Sequence, residues 1–151
     1  MYDTILVPLD GSKRAEIILK HITELAKKIN SKLILLTVVE SNFLKGSEEM
    51  ASASMGSFSR SEEKITNAKT HLGHLREELI QHNLQVETMV AEGLPVAVIK
   101  ETAEQVNADL IALASHGHGG LASVFYGSVA GAILNQVDRP LFLIRSQSTK
   151  E

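Results

Sequence analysis

A chain of 151 residues with 44% apolar content has the size and composition of one domain that closes its own core without metals or staples. A formal net charge of -3, with 15 Lys and Arg spread along the chain, argues against nucleic acid as a partner, and the absence of cysteine excludes disulfides, thiolate metal sites and cysteine nucleophiles. No apolar stretch approaches the ~20 residues needed to cross a bilayer, and the opening segment, with Asp3 and Pro8, lacks the pattern of an export signal, so a cytoplasmic protein is expected and a membrane partner is not.

In chain order, Ile5, Leu6 and Val7 form a continuous apolar run that stops at Asp10-Gly11, as a strand buried on both faces should. Ser12 is placed to cap a helix whose Ala15, Ile18, Leu19, Ile22, Leu25, Ala26 and Ile29 follow the spacing of one buried stripe. Leu33 to Val39 predicts a second central strand. The Ser, Gly, Met and Glu composition of residues 41–59 predicts a long flexible loop over the ligand-binding end of the sheet.

Helical spacing returns with Ile65, Ala68, Leu72, Leu75 and Leu79, interrupted weakly by Gly73, and the polar remainder, Lys64 included, is expected to face solvent. His21, His71, His74 and His82 fall on helices or their ends, where exposed positions are the default. A third strand, Gln85 to Ala91, alternates more than the others and predicts a sheet edge. Pro95 then suits the first position of a helix carrying Val96, Ile99, Ala103 and Val106. Asp109 to Leu113 predicts a fourth strand, Val129 to Val137 a fourth helix, and Pro140 to Ile144 a fifth strand. Such alternation has one economical solution, an α/β domain with a parallel sheet and helices on both faces, spanning residues 1–151 without repeat or linker.

Ligands of open parallel sheets lie beyond the carboxyl ends of the strands, where strand order reverses. Strand one ends in Leu9, Asp10, Gly11 and Ser12, with Pro8 also counted among the candidate nucleotide contacts, and strand two ends in Val38, Val39 and Glu40. Strand four ends in Ala114, Ser115, His116, Gly117, His118, Gly119 and Gly120. The glycines Gly117, Gly119 and Gly120 let a backbone approach a ligand closely and turn its N–H groups into an anion nest. Gly127-Ser128 then opens the fourth helix, followed by Val129 and Ala130, where unpaired N–H groups and the helix dipole favour a phosphate. The Ser128 hydroxyl can cap that helix, bond a phosphate, or do both. Asp10 can accept a ribose hydroxyl or serve only the turn before Gly11.

The loop lacks the lysine of a Walker A motif, and Ala122 stands where a dinucleotide fingerprint needs its third glycine. No Lys or Arg occurs from Ala114 to Asp138, so phosphate charge would be met by backbone N–H groups, the helix terminus and Mg²⁺. His116 and His118 alone do not make a metal pair and are read as solvated loop residues. Glu40 and Glu92 end strands without a nucleophile to serve, so no catalytic residue is named and no metal is expected on direct protein ligands.

The order Gly117, nine residues, Gly127-Ser128 resembles the phosphate motif of the universal stress protein family, whose ATP-binding members carry Gly, two residues, Gly, nine residues, then Gly-Ser or Gly-Thr. Ala114 stands in place of the first glycine. The resemblance extends over nearly the full chain, through Ile5-Leu6-Val7-Pro8-Leu9-Asp10, Leu36-Thr37-Val38-Val39, Gly93-Leu94-Pro95, Ala108-Asp109-Leu110-Ile111 and Arg139-Pro140-Leu141-Phe142-Leu143-Ile144. It implies the adenine-nucleotide alpha-hydrolase-like fold with strand order 3-2-1-4-5. It also implies adenine and ribose near Asp10 and the backbone of Val38, and phosphates on Gly117, Gly127, Ser128 and Val129. The Ala114 methyl group is harmless if its φ is negative and crowds a nucleotide if the backbone must approach closely.

The family topology places the apolar strand Leu141, Phe142, Leu143 and Ile144 at a sheet edge, where an uncovered strand invites pairing, and implies a two-fold dimer through it. Three functions follow. The first is a dimeric ATP-binding stress or signalling protein, carrying Mg²⁺ with the nucleotide and open to a further protein partner. The second is an interaction dimer of the same fold without nucleotide, for which Ala114 argues. The third, a weak ATP hydrolase, lacks a positioned base or arginine in the loop.

Overall fold

A computed structural model describes residues 1–40, 54–116 and 128–146. Nine elements alternate along these segments: β1 (Thr4–Pro8), α1 (Lys13–Ile29), β2 (Lys32–Val39), α2 (Ser54–Gln81), β3 (Gln85–Glu92), α3 (Pro95–Gln105), β4 (Leu110–His116), α4 (Ser128–Gln136) and β5 (Leu141–Ser146). The sheet has five strands in the order β3-β2-β1-β4-β5, all paired in parallel. The α/β class, the strand order and the edge position of β3 are those expected.

Residues adjacent in a strand point to opposite faces, and the sheet uses this to build two cores. Ile5, Val7, Leu33 and Leu35 face α1 and α2, where they meet Ile18, Ile22, Leu72 and Leu79. Leu6, Ile34, Leu36 and Ile111 face α3 and α4, where they meet Ile99, Ala103, Ala130 and Ile133. Burial on both faces explains the uninterrupted apolar runs of β1 and β2. Each fully buried Leu or Ile contributes roughly 1.5–3 kcal/mol relative to exposure.

α1 carries the expected stripe, with Ala15, Ile18, Leu19, Ile22 and Ala26 buried, although Ile29 at its end is 40% exposed. Its N-terminus is closed as expected, the Ser12 Oγ accepting the Ala15 N–H at 3.1 Å. Asp109 ties the start of β1 to β4, its Oδ2 accepting the N–H groups of Asp3 at 2.9 Å and Thr4 at 3.0 Å. Arg139 anchors the entry to β5 by donating from Nη1 to the carbonyls of Ala103 at 2.9 Å and Ala108 at 3.1 Å. The hydrogen bond from the same guanidinium holds the Asp138 carboxyl below the usual carboxylate range.

The largest differences from the sequence reading are at the start of α2 and the ends of β4 and β5. α2 begins at Ser54, so residues 54–59 of the expected loop are helical, while 41–53 lie outside the described residues. Once Ile65 to Leu79 nucleates a helix, extending it adds one hydrogen bond per residue without any apolar spacing. β4 does not stop at Leu113; it runs to His116 because β5 runs to Ser146, and Ala114, Ser115 and His116 pair with Ile144, Arg145 and Ser146. Two serines consolidate this extension. Ser146 Oγ donates to the Ser115 carbonyl at 2.7 Å, and Ser115 Oγ donates more weakly to the Ile144 carbonyl at 3.4 Å.

Candidate functional site

β1 has β2 on one side and β4 on the other, which makes the β1–β4 junction the place where strand order reverses. The pairing itself opens there. β1 matches β2 over five positions, Thr4 to Pro8, but matches β4 at only Ile5↔Leu110 and Leu6↔Ile111. Consecutive residues of a strand direct their N–H groups to opposite sides. Leu9 donates to the Leu36 carbonyl of β2 at 2.8 Å, so position 8 faces β4, and Pro8 has no N–H to give it.

Beyond this opening the chain of β1 turns sharply into α1. Gly11 takes a φ of +82°, a conformation glycine adopts without penalty. Asp10 Oδ1 accepts the Ser12 N–H at 2.8 Å, which is the turn role foreseen for it.

A cavity of about 720 Å³ occupies this end of the sheet, within the roughly 300–1,000 Å³ typical of small-molecule sites. Its floor comes from the strand ends: Pro8 and Leu9 of β1, Leu36 to Val39 of β2, and Leu113 and Ala114 of β4. Asp10, Gly11 and Ala15 form the α1 wall, and Val129 and Ala130 bring in the first turn of α4. Pro95 and Ile99 contribute from α3, and Glu40 lies at the end of β2. The expected residues Pro8, Leu9, Asp10, Val38, Ala114, Val129 and Ala130 are thus brought together around one space.

Ser115 is buried, with its hydroxyl committed to β5, and the backbone of His116 is paired with Ser146. Ser128 is the first residue of α4. Gly117, His118, Gly119, Gly120 and Gly127 lie outside the described residues. Ala114 is a regular strand residue and is absent from the positive-φ positions, which among described non-glycine residues are Asn30, Asn83 and Asn107. The methyl group therefore imposes no backbone strain.

The wall that sequence reasoning missed is α2. Lys64, Asn67, Ala68 and His71 line the cavity, and their spacing of three, four and seven residues puts them on one helical stripe. His71 was expected on the exposed surface; instead it is 35% exposed and its Nε2 lies 2.8 Å from Glu16 Oε1, whose side chain is 14% exposed. An ionised carboxylate can only accept, so His71 donates, and the contact ties α2 to α1 beside the cavity. The stripe itself is legible in the sequence, since Lys64 and His71 share the face of Ala68, but what that face meets is not. Among the described residues, no group of three or more His, Asp or Glu is arranged to hold a metal ion, and no helix is long and apolar enough to cross a membrane.

The universal stress protein family model matches residues 1–145. The chain is 27% identical over 160 aligned positions to the universal stress protein MJ0577 of Methanocaldococcus jannaschii, covering 99% of this chain and 98% of that one. The solved structure of MJ0577 superposes with a TM-score of 0.84 at 26% identity, covering 99% of both chains. A universal stress protein solved in complex with cAMP has the same fold at 18% identity, with a TM-score of 0.65 and coverage of 97% and 98%. Another, from Archaeoglobus fulgidus and in complex with dAMP, superposes with a TM-score of 0.58 at 18% identity over 94% and 97% of the two chains.

Proposed function

The chain belongs to the universal stress protein family, and from that premise we propose that its cavity binds an adenine nucleotide, ATP carrying Mg²⁺ on its phosphates, and that this binding is the activity of a stress or signalling dimer in the cytoplasm. The observation that carries the reading is the opening between β1 and β4, which sets Asp10 and the first turn of α4 around one space. Asp10 is the ribose acceptor. The base lies against the apolar end of β2 near Val38. The phosphates take the α4 terminus at Ser128, Val129 and Ala130, where unpaired N–H groups and the helix dipole favour an anion, together with the glycines Gly117, Gly119, Gly120 and Gly127. Relatives of this fold captured with cAMP and dAMP support the choice of an adenine base.

The alternative is a nucleotide-free interaction dimer, for which Ala114 argues; the absence of Ala114 from the positive-φ residues supports the harmless reading of its methyl group. Binding without turnover is part of this proposal, and a steady Mg-dependent release of ADP would reject it.

The dimer is proposed through β5. Leu141 and Leu143 pack on one core and Phe142 and Ile144 on the other, so these half-buried side chains are already used within the chain. What the edge offers a second copy is its backbone, and a two-fold axis across it pairs two β5 strands antiparallel. Light scattering at micromolar concentration should give twice the chain mass; a monomer rejects this part. For the nucleotide, purified protein is denatured and the released small molecules identified, followed by calorimetric titration with Mg-ATP. A co-purifying adenine nucleotide or micromolar affinity, about 8 kcal/mol, is expected. Absence of binding by ATP, AMP and cAMP alike rejects the reading.

A further inference from the structure

The charge around the cavity is unbalanced for the ligand proposed above. Asp10 and Glu40 line it, and Lys64 is the one Lys or Arg among the described lining residues. The segment from Ala114 to Asp138 supplies no Lys or Arg, so among the described lining residues a polyphosphate entering this space would meet Asp10, Glu40 and, as cation, Lys64. Among the described residues, no hydrogen bond or ion pair occupies the Lys64 ammonium.

Two features make α2 a wall built to present that group. Lys64, Asn67, Ala68 and His71 lie on one stripe and all face the cavity, so the lysine is directed by the same helical register that sets the others. His71, two turns further on, is fixed to Glu16 of α1 at 2.8 Å, about 10.5 Å along the axis from Lys64 at ~1.5 Å per residue. The anchor holds the helix and leaves the lysine stem free. A lysine has three rotatable donors on a flexible four-carbon stem, which suits a phosphate chain.

Resting on the nucleotide reading, we infer that Lys64 is the phosphate-recognising cation of this site and makes it discriminate adenine nucleotides by phosphate number, favouring the triphosphate over the nucleoside. The test is calorimetric titration of the full-length protein, the Lys64→Gln variant and the Lys64→Arg variant with ATP, ADP, AMP and adenosine at constant Mg²⁺ and ionic strength. Lys64 is exposed, so the substitutions leave the core intact, and matching circular dichroism and thermal midpoints establish this. Lys64→Gln is expected to weaken ATP about tenfold, the ~1.4 kcal/mol of one charged contact, to weaken AMP less, and to leave adenosine within twofold. Lys64→Arg is expected to restore most of the ATP affinity.

A wild-type protein that binds ATP with an ATP-to-adenosine preference unchanged by Lys64→Gln overturns this inference and leaves the nucleotide reading standing. Equal losses for ATP and adenosine also overturn it, since they would mark Lys64 as a wall residue and not a phosphate contact. A wild-type protein that binds none of the four overturns both readings.

Discussion

The substitution Ala114→Gly restores the glycine that the family motif carries at this position, and the structure predicts that it harms the protein without helping the ligand. Ala114 sits in β4 opposite Ile144 and packs, partly buried, against the core on the α1 side. Removing a methyl group costs up to ~0.8 kcal/mol when burial is complete, and here burial is partial. Glycine in a strand adds a backbone entropy cost of roughly 0.5–1 kcal/mol. The sum is about 1–1.5 kcal/mol, which lowers the thermal midpoint by roughly 2–6 °C for a chain of this length. Because the φ of Ala114 is already one that any residue adopts, glycine gains no conformation that the nucleotide needs, and affinity for ATP should stay within about threefold. Urea denaturation and calorimetric titration of the two proteins measure both quantities. A tenfold or greater tightening of ATP, ~1.4 kcal/mol, or binding that appears only in the glycine variant, would refute the reasoning and show that the methyl group occupies ligand space.

Gly93 between β3 and α3 has a φ of +143°, and a Cβ built there falls 2.8 Å from Val98 Cγ2; Gly93→Ala should therefore destabilise by ~1–3 kcal/mol in urea, and Val98→Ala added to it should recover only the steric share. Gly73 presents the opposite case, since a Cβ at this position of α2 meets nothing within 4 Å. Gly73→Ala should stabilise by about 0.5–1 kcal/mol, and a lower thermal midpoint would contradict the open environment assigned to it. Asp109→Ala leaves the Asp3 and Thr4 N–H groups without their carboxylate acceptor and should cost roughly 1–3 kcal/mol, nearer the lower figure because water reaches Asp3. Unchanged denaturation midpoints would mean that this clamp contributes nothing to the start of β1.

What the sequence made legible is what periodicity encodes. The stripe of Ala15, Ile18, Leu19, Ile22 and Ala26 and the hydroxyl of Ser12 define α1 locally, and the continuous apolar runs of β1 and β2 announce burial on both faces. Strand order came from the family resemblance, because nothing in a strand's own pattern names its neighbours. The extension of β4 through Ala114, Ser115 and His116 was illegible for a related reason. Small and polar residues before a glycine read as a loop, and they become strand only because β5 supplies partners 30 residues further along. The α2 wall was misread because a polar helical face says that charge must meet something other than core. Whether that is bulk water or a cavity depends on the packing of α2 against β2 and α1, which no local pattern records.

The location of the site is nevertheless written into one residue more firmly than into any motif glycine. In a sheet of order 3-2-1-4-5 the chain leaves β1 for β2 through α1 on one face and returns from β3 to β4 through α3 on the other, so no crossover covers the end of the β1–β4 junction. Topology alone would let the two strands stay paired up to that end. Pro8 prevents it, since its position on the β4 side carries no N–H and the ladder stops at Leu6 and Ile111. Gly11 then turns the chain away into α1, and β4 continues alongside β5 instead. The result is a gap whose one lip is Asp10 and whose other lip is Ala114 with the first turn of α4. A carboxylate and the first turn of a helix lining one cavity would pair an acceptor for sugar hydroxyls with donors for an anion, the combination that the nucleotide proposal requires.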